Sequence, residues 1–74
     1  MTGPIIRALR ISKRMTQAEF SAALGISPSW LCEIEKERKP VSDRVRGRVG
    51  QLFDSEEEII EIIRRAKMTE RLSF

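Results

Sequence analysis

The chain has 74 residues and a formal net charge of +3, and it contains one Cys and no His. A chain of this length forms one small domain, which buries little more than about 60% of its unfolded surface. A single Cys excludes an internal disulfide and suits the reducing cytosol, and without His it cannot build a zinc site. We therefore expect a cytoplasmic protein with one domain, residues 1–74, and with no metal site, no membrane span and no catalytic thiol.

The basic charge is concentrated in the first two thirds of the chain. Residues 1–53 carry 10 Lys or Arg and 5 Asp or Glu, a net +5, and residues 54–74 carry 4 and 6, a net −2. A positive field over residues 1–53 would attract a polyanion such as a nucleic acid. An ordinary solvated surface explains the same charge equally well, so the charge alone does not decide between the two.

Hydrophobic spacing and capping residues predict five helices and no β-strand. Pro4 suits the first turn of the first helix, after a frayed start at residues 1–3, and the apolar side of that helix is formed by Ile5, Ile6 and Leu9. The fold class is therefore all-α, with helices at about residues 4–14, 16–24, 28–36, 42–53 and 56–69.

The second and third helices are separated by one turn that contains a glycine. Thr16 and Glu19 have the spacing of a capping box at the start of the second helix, and Gly25 can end it because glycine adopts a positive φ without a Cβ penalty. Ser27 then caps the third helix and Pro28 occupies its first position, where the missing N–H costs nothing. Two helices joined by so short a turn meet at a steep angle, which predicts a helix-turn-helix.

The third helix has one apolar side and one polar side. At about 100° per residue, Leu31 and Ile34 point toward the core. On the other side, Ser29, Glu33 and Lys36 point toward solvent or a ligand. A helix that reads DNA needs this arrangement, because its outer side chains must reach base edges in the major groove.

The segment TQAEFSAALGISPSWLCEIEKERKP resembles the DNA-binding domain of the XRE (Cro/CI-type) phage-repressor family, and the resemblance extends over roughly residues 5–53. Three residues depart from the family pattern. Ser21 replaces a small apolar residue, Glu37 replaces a glycine, and Pro28 replaces a residue that hydrogen-bonds a base in some relatives. The matching core, turn and polar positions are Phe20, Leu24, Gly25, Ile26, Leu31, Ile34, Gln17, Glu19 and Glu35.

The resemblance implies a five-helix bundle of the lambda-repressor-like type that binds double-stranded DNA. Gln17 and the N-terminus of its helix would hold a phosphate with the help of the helix dipole, and Ser27 and Ser29 would contact base edges or neighbouring phosphates. The loop after the third helix and the start of the fourth would lie along the DNA backbone. The expected DNA-binding residues are Thr16, Gln17, Ser27, Pro28, Ser29, Trp30, Glu33, Lys36, Arg38, Lys39 and Arg44.

Two residues of the third helix have more than one interpretation. Glu33 could accept a hydrogen bond from a cytosine amino group, or it could repel phosphates and so exclude wrong registers. Trp30 could pack against the following helix or reach the sugar-phosphate backbone, and we expect a partly buried ring whose indole N–H is available to a phosphate. Cys32, at the edge of this helix, is expected to be a small filler.

A charged pair is expected between the first and third helices. In the resembled family, an arginine near the position of Arg10 pairs with the glutamate that ends the recognition helix, here Glu35. Glu35 lies about 40° from Leu31 in helical projection, toward the interior, where a carboxylate needs a partner. Arginine suits it because a guanidinium can bind a carboxylate through two hydrogen bonds. Two independent solvated charges are the alternative.

The fourth helix is capped by Ser42 and contains two glycines. Gly47 and Gly50 each lower helix stability by about 1 kcal/mol relative to Ala, so tertiary packing must compensate for them. We expect them on a packed face that permits close helix approach.

The fifth helix is more apolar than a surface helix needs to be. One stripe that packs on the domain is formed by Ile59, Ile62, Ile63 and Ala66, and Ile60 widens it to one side. The extra apolar edge suggests a homodimer contact, although a larger intramolecular core explains it equally well. The candidate interface residues are Phe53, Ile60, Ile63, Leu72 and Phe74.

These features favour a sequence-specific double-stranded DNA-binding transcriptional regulator, a repressor that binds a pseudo-palindromic operator as a homodimer. The alternative is an antitoxin or adaptor that uses the same fold mainly for protein–protein interaction, with the isoleucine-rich last helix as its binding surface. The residues indicate no catalytic group, no cofactor and no small-molecule substrate, so we expect no enzymatic activity.

Overall fold

The structure, a computed structural model, describes the backbone of residues 1–72 and the side chains of residues 1–68. Its regular structure within these residues is entirely helical, with five α-helices and no β-strand, as the sequence predicts. Each helix begins within one residue of its expected start. The helices are α1 (Gly3–Ser12), α2 (Gln17–Leu24), α3 (Pro28–Glu35), α4 (Asp43–Leu52) and α5 (Glu56–Leu72).

The first four helices each contribute two buried side chains to one core. The two residues of each pair are three or four positions apart, which places them on one face of their helix. α1 packs against α3 and α5, while α2 packs against α3 and α4. The core side chains are Ile6, Leu9, Phe20, Leu24, Leu31, Ile34, Val45, Val49 and Phe53.

The first turn of α1 is packed, which corrects the expectation of a frayed start. Gly3 is the first residue of α1 and is buried. A Cβ added at Gly3 would overlap the carbonyl oxygen of Ile34 and would lie 2.9 Å from that of Glu35. Glycine is therefore required by the close approach of α1 to the end of α3. The local sequence could not indicate this contact because the two segments are distant along the chain.

Three helices end in a Schellman motif, in which the chain reverses through a residue of positive φ. After α2 this residue is Gly25 (φ 73), whose amide donates to the carbonyl of Ala22 at 3.2 Å. After α1 and α3 the corresponding residues are Arg14 (φ 56) and Glu37 (φ 61), which are not glycines. An L-residue in this left-handed region costs about 1–2 kcal/mol, so both helix ends are strained.

The glycines of α4 are exposed, and the expectation that they lie on a packed face is wrong. Among the described residues, no atom outside the helix itself lies within 4 Å of a Cβ added at Gly47 or Gly50. The two glycines therefore weaken α4 without a compensating close contact.

Phe53 lies in the core, which corrects its assignment to a dimer interface. The residue is 6% exposed, and the Lys13 ammonium nitrogen lies 4.7 Å from the ring centroid. The backbone becomes extended at Phe53 (φ −116, ψ 143), and this change of conformation ends α4.

α5 packs against α1. Ile59 and Ile62 are partly buried against the core, Ile63 is half-buried, and Ile60 is 52% exposed. The exposure of Ile60 agrees with an apolar edge on this helix. The other two candidate interface side chains, Leu72 and Phe74, lie outside the residues whose side chains are described.

Candidate nucleic-acid interface

The capping box at the start of α2 forms as the sequence predicts. The Glu19 carboxylate accepts the amide of Thr16 at 2.9 Å, and Thr16 Oγ1 accepts the amide of Glu19 at 3.1 Å. The hydrogen bond from the Thr16 amide, assisted by the Thr16 side chain, holds the pKa of Glu19 below its ordinary value. These bonds fix the first turn of α2, whose remaining amides have no acceptor within the helix.

The first turn of α3 is exposed, while the opposite side of the helix is buried. Residues 27–30 are open to solvent, and Leu31 and Ile34 are fully buried. Ser27 Oγ accepts the amide of Trp30 at 3.1 Å, which caps the helix as predicted. The Ser27 hydroxyl proton is left for another acceptor. α3 thus has a small exposed polar surface on one side and packs firmly into the core on the other.

The predicted pair between Arg10 and Glu35 is present. Arg10 Nε donates to Glu35 Oε2 at 2.8 Å, and Nη2 donates to Oε1 at 3.1 Å. The two side chains are only 14% and 4% exposed. Arg10 Nη1 also donates to the carbonyl oxygen of Met15 at 3.0 Å. The pair therefore ties α1 both to the last turn of α3 and to the loop that leads into α2.

Gln17 belongs to the same polar cluster. Its Nε2 donates to Glu35 Oε1 at 3.1 Å, so Glu35 connects α3 to side chains from both α1 and α2. Sequence reasoning assigned Gln17 to a phosphate and missed this link, because the link depends on the angle between α2 and α3. One N–H of the amide is left for a phosphate, and that contact stays a prediction.

Glu33 and Arg38 form an exposed ion pair at the C-terminal end of α3. Arg38 Nη1 lies 3.6 Å from Glu33 Oε1, and the side chains are 64% and 35% exposed respectively. The Schellman motif after α3 brings the two residues together, since the Arg38 amide donates to the Glu33 carbonyl at 2.9 Å. The Arg38 charge is thus partly neutralised in the free protein, and it would have to exchange partners to reach a phosphate.

Trp30 is exposed, which corrects the expectation of a partly buried ring. Its relative accessibility is 44%, and it does not belong to the core cluster. The Lys39 ammonium nitrogen lies over the ring, 5.4 Å from its centroid, which is within the range of a cation–π interaction. This contact joins the first turn of α3 to the loop after the helix.

Two further cations that the sequence assigns to the DNA backbone, Lys36 and Arg44, are also exposed. Lys36 follows the last residue of α3, and Arg44 lies in the first turn of α4. With Arg38 and Lys39, they distribute four positive charges over the end of α3, the loop after it and the start of α4.

Three further findings concern the metal-ligating groups, the cysteine and the helix lengths of the described residues. No group of His, Cys, Asp and Glu side chains among them is arranged to hold a metal ion. Cys32 is a free, half-buried thiol on α3. None of the described helices combines the length and the apolar character that crossing a bilayer requires.

Comparison with known proteins does not place the chain in a family. No protein-family model matches it, and no curated protein and no solved structure is significantly similar to it. What the chain does must therefore be inferred from its own residues and their geometry.

Proposed function

We propose that this chain is a sequence-specific double-stranded DNA-binding regulator of transcription, a repressor that acts as a homodimer on a pseudo-palindromic operator. In this proposal α2 and α3 form a helix-turn-helix within a bundle of the lambda-repressor-like type, and α3 is the recognition helix. The resemblance to the XRE (Cro/CI-type) family points to the same function.

The exposed first turn of α3 is the observation that carries the proposal. An α-helix fits the major groove of DNA, and side chains near its N-terminus can reach base edges there. Ser29 offers a hydroxyl group, and Ser27 retains a hydroxyl proton while it caps the helix. Glu33 could accept from a cytosine amino group once Arg38 has moved from Glu33 to a phosphate.

The charges around α3 support a DNA backbone on either side of it. The capped start of α2, with Thr16 exposed, offers free amides and the positive end of a helix dipole to a phosphate. At the other end of α3, the four exposed cations Lys36, Arg38, Lys39 and Arg44 can contact phosphates. Such contacts position the protein on the duplex but do not specify a sequence.

The size of the molecule is compatible with a two-fold dimer on successive major grooves. Its principal-axis dimensions are 32 × 28 × 22 Å. In the proposed dimer, two copies of this size would place their α3 helices one turn of DNA apart, about 34 Å. A single module of this size makes few contacts, so tight binding requires the second copy.

Selection of bound sequences from a random duplex pool tests this function. We expect the selected sites to contain two inverted half-sites about one helical turn apart. Ser29→Ala and Glu33→Ala should change the selected bases. Arg38→Ala and Lys39→Ala should instead weaken binding to all sequences. Each should also reduce the steepness of the plot of log binding constant against log salt concentration by about one unit. If both Ser29→Ala and Glu33→Ala leave the selected sites identical, α3 is not the recognition helix.

The second candidate function is an antitoxin or adaptor that binds another protein through α5. Ile60 and Met68 favour it, since they are 52% and 57% exposed on this helix. A titration with duplex DNA at two salt concentrations distinguishes the two functions. Steep loss of affinity at the higher salt concentration supports the regulator, because phosphate contacts release counterions, and weak binding without salt dependence supports the adaptor.

A further inference from the structure

The exposed indole on α3 is not explained by the packing of the domain. Trp30 is the only Trp in the chain. It is 44% exposed and does not belong to the core cluster of buried residues. An aromatic ring normally contributes a large buried area to a core. Trp30 instead leaves 44% of its surface open to solvent.

The ammonium group of Lys39 accompanies this ring. Its nitrogen lies 5.4 Å from the ring centroid. Within the described residues Lys39 has no carboxylate partner, whereas the neighbouring Arg38 is paired with Glu33. The positive charge of Lys39 is therefore available to an external anion, and any anion that binds it must lie close to the indole.

We infer that Trp30 and Lys39 form one composite site for a single sugar-phosphate unit of duplex DNA. The ammonium group binds the phosphate, and the indole ring covers the C–H surface of the adjoining deoxyribose. The inference rests on the proposed function and adds the role of the ring to it. In an intact duplex the bases are stacked on each other, and stacking the indole on one of them would require costly unstacking. The sugar is the apolar surface that remains beside every phosphate.

This composite site has two consequences for binding. It contributes affinity without sequence preference, because every nucleotide carries the same sugar and phosphate. The ring also restricts the freedom of the Lys39 side chain before DNA arrives, which reduces the entropy lost on binding. Loss of the ring should therefore weaken the phosphate contact made by Lys39.

Trp30 emission provides a direct test, because no other Trp contributes to it. Acrylamide quenching of this emission is measured for the free protein and for the protein saturated with a short mixed-sequence duplex. The anisotropy of a dye on the duplex reports binding independently. We expect the duplex to protect Trp30 from acrylamide, because the sugar replaces solvent over the ring. Inorganic polyphosphate, which lacks a sugar, should protect it less.

A double-mutant cycle tests whether the two residues act as one site. Trp30→Leu and Lys39→Gln should each weaken duplex binding by about twofold to fivefold, the range expected for an exposed cation–π contact. The double variant should lose less than the product of the two effects, since either change disables the same contact. Lys36→Gln is the matched control. When it is combined with Trp30→Leu, the loss of affinity should equal the product of the two single losses. Unchanged thermal unfolding midpoints exclude a folding defect.

The outcomes separate this inference from the proposed function. If anisotropy shows duplex binding while Trp30 stays as accessible to acrylamide as in the free protein, the inference is overturned and the proposed function stands. Equal protection by polyphosphate, or independent effects of Trp30→Leu and Lys39→Gln, also overturns it. If no duplex binds even at low salt, the proposed function fails and the composite site fails with it.

Discussion

Glu35 carries a nearly buried negative charge that three hydrogen bonds compensate. Two of them come from Arg10 and one from Gln17, and the Glu35 side chain is 4% exposed. Removing one partner of a buried ion pair leaves an uncompensated charge, which typically costs about 3–5 kcal/mol. Replacing both partners with apolar residues is often close to neutral. Losing Arg10 alone should therefore destabilise the fold more than losing Arg10 and Glu35 together, because only the single loss leaves the Glu35 charge buried without its ionic partner.

We therefore expect Arg10→Met to lower the free energy of unfolding by about 3 kcal/mol, and by more than the double variant Arg10→Met/Glu35→Leu does. Urea unfolding of the parent, the two single variants and the double variant measures the coupling energy. Arg46 and Asp43, which form a pair at 3.5 Å with side chains 53% and 99% exposed, provide the control. The same cycle on that pair should give a coupling near zero. A coupling near zero for Arg10 and Glu35 would refute the prediction.

Glu37 holds a backbone conformation that glycine adopts without strain. Its φ of 61° lies in the left-handed region, and its amide donates to the Ile34 carbonyl at 3.0 Å. The free energy gained by relieving this strain exceeds the free-energy cost of ordering glycine, which has more conformational entropy in the unfolded chain than other residues. Glu37→Gly should therefore raise the free energy of unfolding by about 0.5–1 kcal/mol, measured by thermal or urea unfolding.

Glu37→Ala distinguishes relief of strain from loss of charge. It removes the carboxylate but keeps the Cβ, so it should give no comparable gain. Equal stabilisation by Glu37→Ala and Glu37→Gly would mean that charge, not backbone strain, determines the effect. Arg14, with a φ of 56°, allows the same comparison at the end of α1.

At the scale of the helices, the sequence predicts where the helices begin because side chains form the N-terminal caps. Thr16, Ser27 and Ser42 each accept the amide of the residue three positions later, at 3.1, 3.1 and 3.2 Å. The sequence also predicts the end of α2, because Gly25 adopts the positive φ that ends a helix. The ends of α1 and α3 use the same reversal at Arg14 and Glu37, and these residue types do not indicate a positive φ. Both ends were accordingly predicted one or two residues late.

The features that sequence reasoning missed depend on contacts between distant segments. Gly3 is needed because the end of α3 lies against it, and Gln17 meets Glu35 because α2 and α3 cross at a particular angle. Helical periodicity assigns a side to a residue but does not say how completely a neighbour covers it. Trp30 was therefore expected to be more buried than it is, and Phe53 was expected to be available to a partner.

The glycines of the first and fourth helices should respond oppositely to the same substitution. Gly47→Ala and Gly50→Ala should each raise the free energy of unfolding by about 1 kcal/mol, because alanine favours a helix and the added methyl group meets open space. Gly3→Ala should lower it, because the methyl group would overlap the Ile34 carbonyl. Thermal unfolding of the three variants tests this. A stabilising Gly3→Ala would show that α1 does not approach α3 so closely.

At the scale of the whole molecule, assembly is predicted to use the exposed edge of α5. Ile60 and Ile11 are both 52% exposed, which makes Ile11→Glu a matched control for Ile60→Glu. We expect a concentration-dependent monomer–dimer equilibrium that Ile60→Glu shifts toward the monomer and Ile11→Glu does not. The reason is that a carboxylate desolvated at the interface would lack a partner. Sedimentation measures the shift, and an interface on α1 would give the reverse result.

The side of α3 that holds the helix in place is distinct from the side that it exposes. Leu31, Ile34 and Glu35 face inward, while Ser29 and Trp30 face solvent. Substitutions on the exposed side therefore carry little penalty for folding. If the proposed function holds, duplicated copies of this gene could diverge in operator preference through single substitutions, with no compensating change in the core. Recognition would then evolve faster than the fold that supports it.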